Sequence, residues 1–578
     1  MLLFSLWMPL VVSLVLWCTF EQLLIPRPHS WMKRPRYATA IDVGTWACLY
    51  GGFTLLLERG WFATIILGVL HMVIVQVSNT KANTLREPFL CQDFEYFVDM
   101  VKHPRMYLPF FGIGLTIVCS LAGLAVIIAG FWLEPSLFTT HGWEALTSVL
   151  GIIIVGVIIL RRGLKRGQFD VEQEKKEGRY PLDPNDELTR YGLSTLVWRQ
   201  GKELYIPLPS STARKEYQEE ILLSSIKQHT LEQDTAISTQ NSEGVQEHIL
   251  PNLVVVQSES FFDPRRWYPG IREDVLAEWD KIAAQAEVRG QLKVPVWGAN
   301  TVRSECAFLT GLSGGELGGH RFNPYHVLSH QKVPSLLTPL KAKGYRTIAI
   351  HPYPASFYLR NKVFPNLGFD EFIDLNEFSD DQKDGQYTSD LALADTVDKL
   401  LEKTEQPLLI MLITMENHGP LHLEHAPANP DRWYHESPGA DCGDLAVYLR
   451  HLHNSGLLVK RLTQRLSACS KNNLPRDKGR IDTADDRLPP STHTQREGIL
   501  CFYGDHVPIM ASTYKALGYP DGLTEYFIWS TQGKAHKTQA VASIEDLGVM
   551  LLDSVSSHIS RNIKDADTAE RSDTENYS

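Results

Sequence analysis

Long apolar stretches near the N-terminus constrain the fold of this chain more than any other feature of its sequence. A helix needs roughly 20 apolar residues to cross a bilayer. Such stretches lie at about 3–24, 39–57, 61–78, 108–133 and 145–160. Residues 1–166 are therefore predicted to form a membrane domain with about five transmembrane helices. The first stretch is interpreted as a span rather than a cleaved signal peptide, because no basic segment follows Met1 and no A-x-A site is evident.

The rest of the chain changes character twice. Residues 167–250 are polar and charge-rich, and we interpret them as a partly disordered connector. Residues 251–558 alternate short β-rich runs with helical ones, which predicts a largely parallel sheet flanked by helices. Within them, 472–495 is predicted to be a surface excursion, and 559–578 a charged tail. The β-rich runs are NLVVVQ, RTIAI, PLLIMLIT, GILCFYG and YFIWS.

Charge and cysteine usage exclude several classes of function. The net charge is −11, and no basic run is longer than RRGLKR, so nucleic acid is not expected as a partner. The cysteines contain no C-x-x-C pair, so neither a zinc knuckle nor a disulfide framework is indicated.

The basic residues of the membrane domain lie mainly in alternate loops. By the positive-inside rule, this bias would place the large C-terminal domain in the cytoplasm. The residues are Arg27, Lys33, Arg34 and Arg36 after the first span, Lys81, Arg86, Lys102 and Arg105 after the third, and Arg161, Arg162, Lys165 and Arg166 after the fifth.

Four residues far apart in the chain have the chemistry of a single metal site. Glu259 ends the stretch NLVVVQSES, and Asp505 and His506 follow ILCFYG, so all three come at strand ends, where open α/β sheets place ligands. Thr301 is expected in a loop between them. A hydroxyl bound to a divalent cation loses its proton more easily and becomes a nucleophile. The pattern predicts a metal-dependent active site.

The motifs around these residues resemble those of the alkaline phosphatase and sulfatase superfamily, in particular the membrane branch of lipoteichoic acid synthases and phosphoglycerol transferases. The motifs are VVVQSESF, GANTVRSE, HPYPASFYLRNKVF, ITMENHGP, FYGDHVP and EYFIWS. The loop KANTLREPFLCQDF in the membrane half is also similar. The resemblance implies an α/β alkaline-phosphatase-like (sulfatase) catalytic domain behind the membrane domain.

The resemblance also implies roles for individual residues. Glu259, Thr301, Asp505 and His506 would be the metal ligands, and Thr301 the nucleophile that accepts a phosphoryl group. Oxygen ligands with one imidazole suit a fairly hard divalent cation. Mn²⁺ is therefore the first expectation, with Mg²⁺ or Zn²⁺ as alternatives.

One departure from the sulfatase pattern sharpens the expected reaction. Sulfatases carry C-x-P-x-R followed by L-T-G, and in that register Thr301 takes the cysteine position, with Arg303 and Glu305 at the next two positions of the motif. Formylglycine maturation and sulfate-ester hydrolysis are therefore not expected. Arg303 and Glu305 are interpreted as residues that stabilise the loop.

Phosphodiester chemistry also needs cationic or proton-donating groups. His351, Arg360 and His418 are expected to bind substrate phosphate, with Arg360 as a bidentate clamp and His418 as an acid or base. Tyr358 aligns with an aromatic position of the glycerol pocket in the relatives. Packing roles are the alternative for His351 and Tyr358. The residues His320, His326, His422 and His425 fit a surface or an acceptor-site role, and the sequence assigns none of them.

Taken together, the sequence predicts a multi-pass enzyme of the bacterial cytoplasmic (inner) membrane. It would move phosphoglycerol from phosphatidylglycerol, through phospho-threonine, to a glycan or glycerol-phosphate acceptor. The family's catalytic domains face outside the membrane, so this one is expected to be extracytoplasmic, against the count of basic residues. The alternatives are a phosphoethanolamine transferase with the same site, a phosphodiesterase, and an inactive membrane scaffold.

Overall fold

The chain forms two compact units in the computed structural model. One unit comprises Met1–Pro207 with Gly318–Phe322, and the other comprises Leu208–Leu317 with Asn323–Ser578. The structure describes residues 2–95, 113–178, 182–208, 250–425, 427, 429–439, 442–471, 496–533 and 537–575.

The first unit is helical throughout its described part. Its helices are α1 (Met8–Glu21, preceded by a π-helical turn at Leu3–Trp7), α2 (Arg36–Leu57), α3 (Gly60–Leu85), α4 (Ile113–Leu133), α5 (Leu137–Lys176), α6 (Pro184–Tyr191) and α7 (Leu193–Glu203). Backbone geometry breaks α5 at Gly142, whose φ is 54°. Helix α5 begins after Ser136, whose hydroxyl accepts a hydrogen bond from the backbone amide of Thr139.

Four of these helical segments are long and apolar enough to cross a membrane. They are Leu3–Glu21, Arg36–Leu57, Gly60–Leu85 and Leu137–Lys176. The remaining predicted span, 108–133, coincides with α4 from residue 113, and its first part lies outside the described residues. The prediction of a multi-span helical membrane domain is confirmed.

One basic residue of the positive-inside count is buried inside this unit. Nη1 of Arg34 donates to Glu21 at 2.9 Å and to Asp42 at 2.6 Å, and all three side chains are almost fully buried. An arginine held in this way forms part of the packing of the helices. Its charge is therefore a weaker indicator of membrane orientation than that of a solvent-exposed loop residue.

The predicted connector contains ordered helix at its start. Helix α5 continues to Lys176, and α6 and α7 follow within 167–250. Residues 209–249, the predicted excursion 472–495 and the last three residues lie outside the described part of the chain. The boundaries drawn at residues 166, 250 and 558 stay predictions.

The second unit is built on an eight-stranded mixed sheet. The strands are β1 (Asn252–Ser258), β2 (Val288–Lys293), β3 (Arg346–Ile350), β4 (Glu371–Ile373), β7 (Leu408–Ile413), β8 (Gly498–Gly504), β9 (Thr524–Ser530) and β10 (Lys537–Ser543), in the order β10-β2-β9-β8-β1-β7-β3-β4. Only the pairings of β9 with β2 and β8 are antiparallel. A separate hairpin pairs β5 (Lys383–Asp384) with β6 (Tyr387–Thr388). The predicted largely parallel sheet is confirmed.

Helices cover both faces of this sheet. They are α8 (Ala277–Ala283), α9 (Thr301–Thr310), α10 (Gly314–Leu317), α11 (Pro324–Leu328), α12 (Leu337–Ala342), α13 (Arg360–Leu367), α14 (Asp390–Lys403), α15 (Gly443–Lys471), α16 (Ala511–Leu517) and α17 (Ile544–Glu575). Leu253 and Val255 of β1 belong to one apolar core, and Val254 and Val256 to the other. The central strand therefore contributes to both cores, which explains its continuous apolar sequence.

Candidate active site

Strand register brings the distant acidic residues to one edge of the sheet. Ser258 at the end of β1 pairs with Gly504 at the end of the parallel strand β8. Glu259 and Asp505 are the next residues on each strand, so both carboxylates leave the sheet side by side. A Cβ at position 504 would lie 1.9 Å from the carbonyl oxygen of Phe261, so only glycine fits where the chain turns toward Asp505.

Glu259, Asp505 and His506 form a buried cluster that could hold a metal ion. One ligand atom from each lies within 4.8 Å of the others. Nε2 of His506 is 3.5 Å from Oε1 of Glu259 and 3.4 Å from Oδ2 of Asp505. Both Nε2 of His506 and Oδ2 of Asp505 are buried and have no hydrogen-bond partner in the described part of the chain. Each of these two atoms has a lone pair that could bind a divalent cation, so the residues fit such an ion.

Electrostatics point the same way. Burial raises the pKa of Asp505 well above its usual value, and the neighbouring charge of Glu259 raises it further. Burial also lowers the pKa of His506, which favours the neutral imidazole that metals bind. Two carboxylates held together away from water repel each other, and a bound cation would remove that cost.

Thr301 lies at the edge of this cluster, at the first position of α9. Its hydroxyl donates to Oε2 of Glu259 at 3.3 Å. The preceding residue, Asn300, has a φ of 67° and orients the start of the helix, and Ser260 beside Glu259 has a φ of 53°. Non-glycine residues in this conformation are strained and often mark functional sites. Residues 301–310 form a helix, so the prediction of a loop around Thr301 is wrong for these residues.

Two of the predicted histidines have one ring nitrogen fixed by the backbone. Nδ1 of His351 lies 3.0 Å from the carbonyl oxygen of Ile413, and Nδ1 of His418 lies 2.6 Å from that of Gly419. Each Nδ1 therefore carries the proton, which leaves Nε2 for other contacts. Burial, together with the charges of Arg360 and His418, holds the pKa of His351 well below its usual value. His351 is thus a neutral side chain within electrostatic reach of Arg360 and His418.

Arg360 has a partner that sequence reasoning did not identify. Its Nε and Nη2 donate to the two carboxylate oxygens of Glu305, at 3.2 and 2.9 Å, and both side chains are buried. Tyr325 also donates to Glu305. Nη1 of Arg360 is buried without a partner among the described residues, so it is a hydrogen-bond donor that the described side chains leave unused. Glu305 thus orients Arg360, and its place in the quoted motif GANTVRSE was the available signal.

Tyr358 contacts this pair. The guanidinium carbon of Arg360 lies 5.5 Å from the centre of the Tyr358 ring. Tyr358 and Leu359 have φ values of 54° and 58°, so the backbone leading into α13 is strained where Tyr358 and Arg360 project. All eight residues predicted for the site lie in the second unit: Glu259, Thr301, His351, Tyr358, Arg360, His418, Asp505 and His506. Their individual roles stay predictions.

A second ionic cluster lies close to the ENHGP motif. Nδ1 of His451 is 3.0 Å from Glu416, and Nε2 is 3.1 Å from Glu424. Contacts of both ring nitrogens with carboxylates are typical of a protonated imidazole, which cannot bind a metal. Glu416 lies two residues before His418, in the motif ITMENHGP quoted above. His451, in the middle of α15, had no comparable signal.

We expect this cluster to make stability depend on alkaline pH. Burial alone would lower the pKa of His451, but hydrogen bonds to Glu416 and Glu424 raise it to about 9. An unfolded histidine has a pKa of about 6.5, so the contribution of His451 to the free energy of unfolding is complete below that pH and is lost as pH rises through about 9. The raised pKa corresponds to about 3 kcal/mol. The difference in unfolding free energy between wild type and His451→Gln, measured with urea, should shrink by about that amount from neutral pH to a pH above 9. A difference that does not change with pH would contradict the assignment.

The metal cluster yields a direct prediction. Asp505→Asn removes one of the two negative charges that face the cation, so we expect the protein to lose most of its bound divalent metal. Elemental analysis of the purified full chain, dialysed against Mn²⁺, measures the metal content. Asp521→Asn is the matched control, because its half-exposed carboxylate pairs with Arg266. Equal metal content in Asp505→Asn and wild type would rule out this site.

The second unit is thus an α/β domain whose sheet edge brings together two buried carboxylates, an imidazole and a hydroxyl that could hold a metal ion. Residues 251–474 match the family Sulfatase. Part of the second unit therefore resembles a sulfatase domain, and the predicted resemblance to the alkaline phosphatase and sulfatase superfamily is confirmed.

Two relatives have names that refer to polysaccharides. The chain is 31% identical over 281 residues to the capsular polysaccharide biosynthesis protein RkpI of Rhizobium meliloti, covering 48% of this chain and 45% of the relative. It is 28% identical over 280 residues to a protein of the same organism named for cyclic β-1,2-glucan modification, covering 47% and 38%. These alignments span less than half of either relative.

A solved structure gives a weaker likeness. The Streptococcus pyogenes phosphoglycerol transferase GacH, in complex with sn-glycerol-1-phosphate, is 22% identical with a TM-score of 0.38, covering 59% of this chain and 82% of that one.

Proposed function

We propose that this protein is a membrane-bound, metal-dependent phosphoglycerol transferase. It takes phosphoglycerol from phosphatidylglycerol and passes it to a glycan or glycerol-phosphate acceptor of the cell envelope. The observation that carries the proposal is the Thr301 hydroxyl 3.3 Å from Glu259, beside buried ligand atoms of Asp505 and His506 that lack partners. An unmodified threonine in this position suits phosphoryl transfer rather than sulfate-ester hydrolysis.

In the first step, Oγ of Thr301 forms a bond to phosphorus and the bond from phosphorus to the diacylglycerol oxygen breaks. Diacylglycerol leaves as the alcohol, so the proton that it gains balances the proton lost by Thr301. His418, with its proton fixed on Nδ1, can exchange a proton through Nε2. In the second step an acceptor hydroxyl displaces Thr301, and the threonine hydroxyl is restored.

Arg360 and His351 would position the substrate headgroup. Nη1 of Arg360 supplies a hydrogen-bond donor without a large reorganisation, because Glu305 holds the guanidinium in place. Nδ1 of His351 donates to the Ile413 carbonyl, so its Nε2 is an acceptor that suits a hydroxyl of the substrate headgroup. When a divalent cation is bound by Glu259, Thr301, Asp505 and His506, it lowers the pKa of a hydroxyl and offsets phosphate charge. Mn²⁺ is the ion we propose.

Apolar helices in the same chain suit a lipid donor. A phospholipid headgroup lies at the bilayer surface, and tethering the catalytic domain to the membrane raises its effective concentration. We place the catalytic domain on the outer side of the cytoplasmic membrane, where envelope glycans are found. A reagent that cannot cross the membrane should label a cysteine introduced at the exposed residue Gln285 in intact cells, and labelling only after lysis would reverse the orientation.

Phosphoethanolamine transfer is the second candidate, because the same threonine and metal would serve it. That branch of the superfamily commonly carries disulfides in its catalytic domain. The structure forms no disulfide among the described cysteines, including Cys306 and Cys501 in the second unit. This favours phosphoglycerol as the transferred group.

The donor is tested with the full chain in vesicles. Protein loaded with Mn²⁺ is mixed with vesicles of phosphatidylglycerol or of phosphatidylethanolamine, and released diacylglycerol is measured. Release from phosphatidylglycerol alone supports the proposal. Release from phosphatidylethanolamine alone would replace it with the second candidate, and release from neither would overturn both.

A further inference from the structure

Several basic residues at one end of the membrane helices take no part in the proposed chemistry. Helix α5 carries four of them directly after its last apolar run: Arg161, Arg162, Lys165 and Arg166. All four are exposed, and no hydrogen bond or ion pair joins their side chains to another residue in the described part of the chain. Charges that the described fold leaves unpaired are free to attract an external anion.

Glycines orient this part of α5 so that the charges point away from the helix packing. Gly156, Gly163 and Gly167 are buried against α2. A Cβ at Gly163 would lie 3.0 Å from the carbonyl oxygen of Tyr37, and one at Gly167 would lie 3.0 Å from Cδ2 of the same residue. Because successive residues of a helix are rotated by about 100°, the four basic residues lie on the side of α5 opposite these glycines. The contact with Tyr37 also brings the exposed Arg36, at the start of α2, to the same level.

The basic residues of α5 lie at the depth of phospholipid headgroups. The apolar run of the helix ends at Leu160, so residues 161–166 follow the hydrocarbon layer directly. Helical rise from residue 161 to residue 166 is about 7.5 Å. The headgroup layer on each side of a bilayer is about 5–7.5 Å thick. The four charges therefore fall within one headgroup layer.

An exposed tryptophan marks the same boundary. Nε1 of Trp198, on α7, donates to the hydroxyl of Thr45 at 2.9 Å. A Cβ at Gly44, the neighbour of Thr45, would lie 2.6 Å from the backbone nitrogen of Leu160. Trp198 therefore lies at the level where the apolar run of α5 ends. Tryptophan is enriched at this depth of a membrane, where the hydrocarbon layer meets the headgroups.

The opposite end of these helices has no comparable surface. The described residues of the α2–α3 and α4–α5 connections include one arginine and no lysine. That residue, Arg59, donates to the carbonyl oxygens of Glu134 and Leu57. The unpaired charge thus belongs to the end at which α6 and α7 follow α5. In the orientation proposed above, this end faces the outer leaflet, where the positive-inside rule gives the charges no role.

We propose that the exposed basic side of α5, together with Arg36, is a binding surface for the headgroups of anionic phospholipids. Electrostatic attraction near a bilayer surface favours an anionic lipid by about fivefold for each lysine or arginine. Guanidinium groups add bidentate hydrogen bonds to phosphate oxygens. The surface belongs to the first unit, and Thr301 belongs to the second. It therefore retains anionic lipids whether or not they donate a headgroup, which takes the inference beyond the proposed function.

Electron paramagnetic resonance of spin-labelled lipids measures this preference, because lipid held at the protein surface moves more slowly than bulk lipid. The full chain is reconstituted in phosphatidylcholine vesicles with a trace of labelled phosphatidic acid, phosphatidylglycerol or phosphatidylcholine. We expect both anionic lipids to be retained about fivefold or more over phosphatidylcholine. Salt at about 1 M should remove most of the preference, because it screens the charges.

Two sets of substitutions test the residues themselves. The combined variant Arg161→Gln, Arg162→Gln, Lys165→Gln and Arg166→Gln should lose the preference. The combined variant Arg161→Lys, Arg162→Lys and Arg166→Lys is the matched control, because it keeps every charge and should keep the preference.

Equal preference in the glutamine variant and wild type would overturn the inference. Retention of phosphatidylglycerol without phosphatidic acid would also overturn it, because such a site would recognise the glycerol headgroup rather than its charge. The measurement needs no turnover. A protein that retains both anionic lipids but releases no diacylglycerol would therefore contradict the proposed function and support the lipid surface.

Discussion

Thr301→Ala is expected to lower phosphoglycerol transfer by about a thousandfold or more. The substitution removes the only atom that forms the covalent bond to phosphorus in the proposed reaction. It also removes the hydroxyl that contacts Glu259 in the metal cluster. Since the substrate contacts proposed for His351, Arg360 and His418 would remain, we expect the loss mainly in kcat rather than in KM.

A serine at the same position separates chemistry from packing. Thr301→Ser keeps the hydroxyl and should retain measurable transfer, whereas Thr301→Ala should not. Both variants should keep the thermal stability of wild type to within a few degrees, because a single methyl or hydroxyl group is lost from a helix terminus. Transfer by Thr301→Ala at a rate near that of wild type would rule out this nucleophile.

Glu305→Ala is expected to have the largest effect on stability. The carboxylate of Glu305 accepts two hydrogen bonds from Arg360 and one from Tyr325, and both Glu305 and Arg360 are buried. Removing one member of a buried ion pair leaves the other charged and without its partner, which typically costs about 3–5 kcal/mol. We also expect transfer to fall, since the phosphate contact proposed for Arg360 depends on the orientation that Glu305 gives it.

Arg346→Ala is the matched control for this prediction. Arg346 pairs with Glu371 on neighbouring strands, but both side chains are 40% exposed. Pairs of this kind contribute about 0–1 kcal/mol. Urea unfolding of the three proteins, followed by tryptophan fluorescence, gives the comparison. Equal small losses in Glu305→Ala and Arg346→Ala would mean that the buried pair is not a major support of the site.

Much of the sheet was predictable because its central strands are buried on both faces. The runs NLVVVQ, RTIAI, PLLIMLIT, GILCFYG and YFIWS correspond to strands β1, β3, β7, β8 and β9. Strand β2, VRGQLK, is half-exposed and contains a glycine and two basic residues. Such a strand has little pattern of its own, because its place depends on pairing with β9 and β10.

Helix α9 was not predicted, because its sequence also has little helical pattern of its own. It begins at the proposed nucleophile and contains threonine, valine, serine and cysteine, which are mediocre helix formers. All ten of its residues are buried, so tertiary packing rather than intrinsic propensity stabilises it. The motif surrounding Thr301 was recognisable, but its local conformation was not.

The site was predictable to the extent that strand ends carry its residues. Glu259 and Asp505 follow adjacent parallel strands, so their proximity follows from the fold class alone. The pairing of Glu305 with Arg360 was not predictable, because the two residues lie 55 positions apart on different helices. Partner choice between helices depends on their packing geometry, which no periodicity in a single sequence reports.

Peptide mass spectrometry of Thr301 tests the central claim most directly. Full-length protein loaded with Mn²⁺ is incubated with phosphatidylglycerol vesicles without acceptor, quenched in acid and digested. The account predicts a phosphoglycerol adduct on the peptide that contains Thr301, absent from Thr301→Ala and from samples given phosphatidylethanolamine. Diacylglycerol release without any adduct on Thr301, or an adduct on another residue, would contradict it.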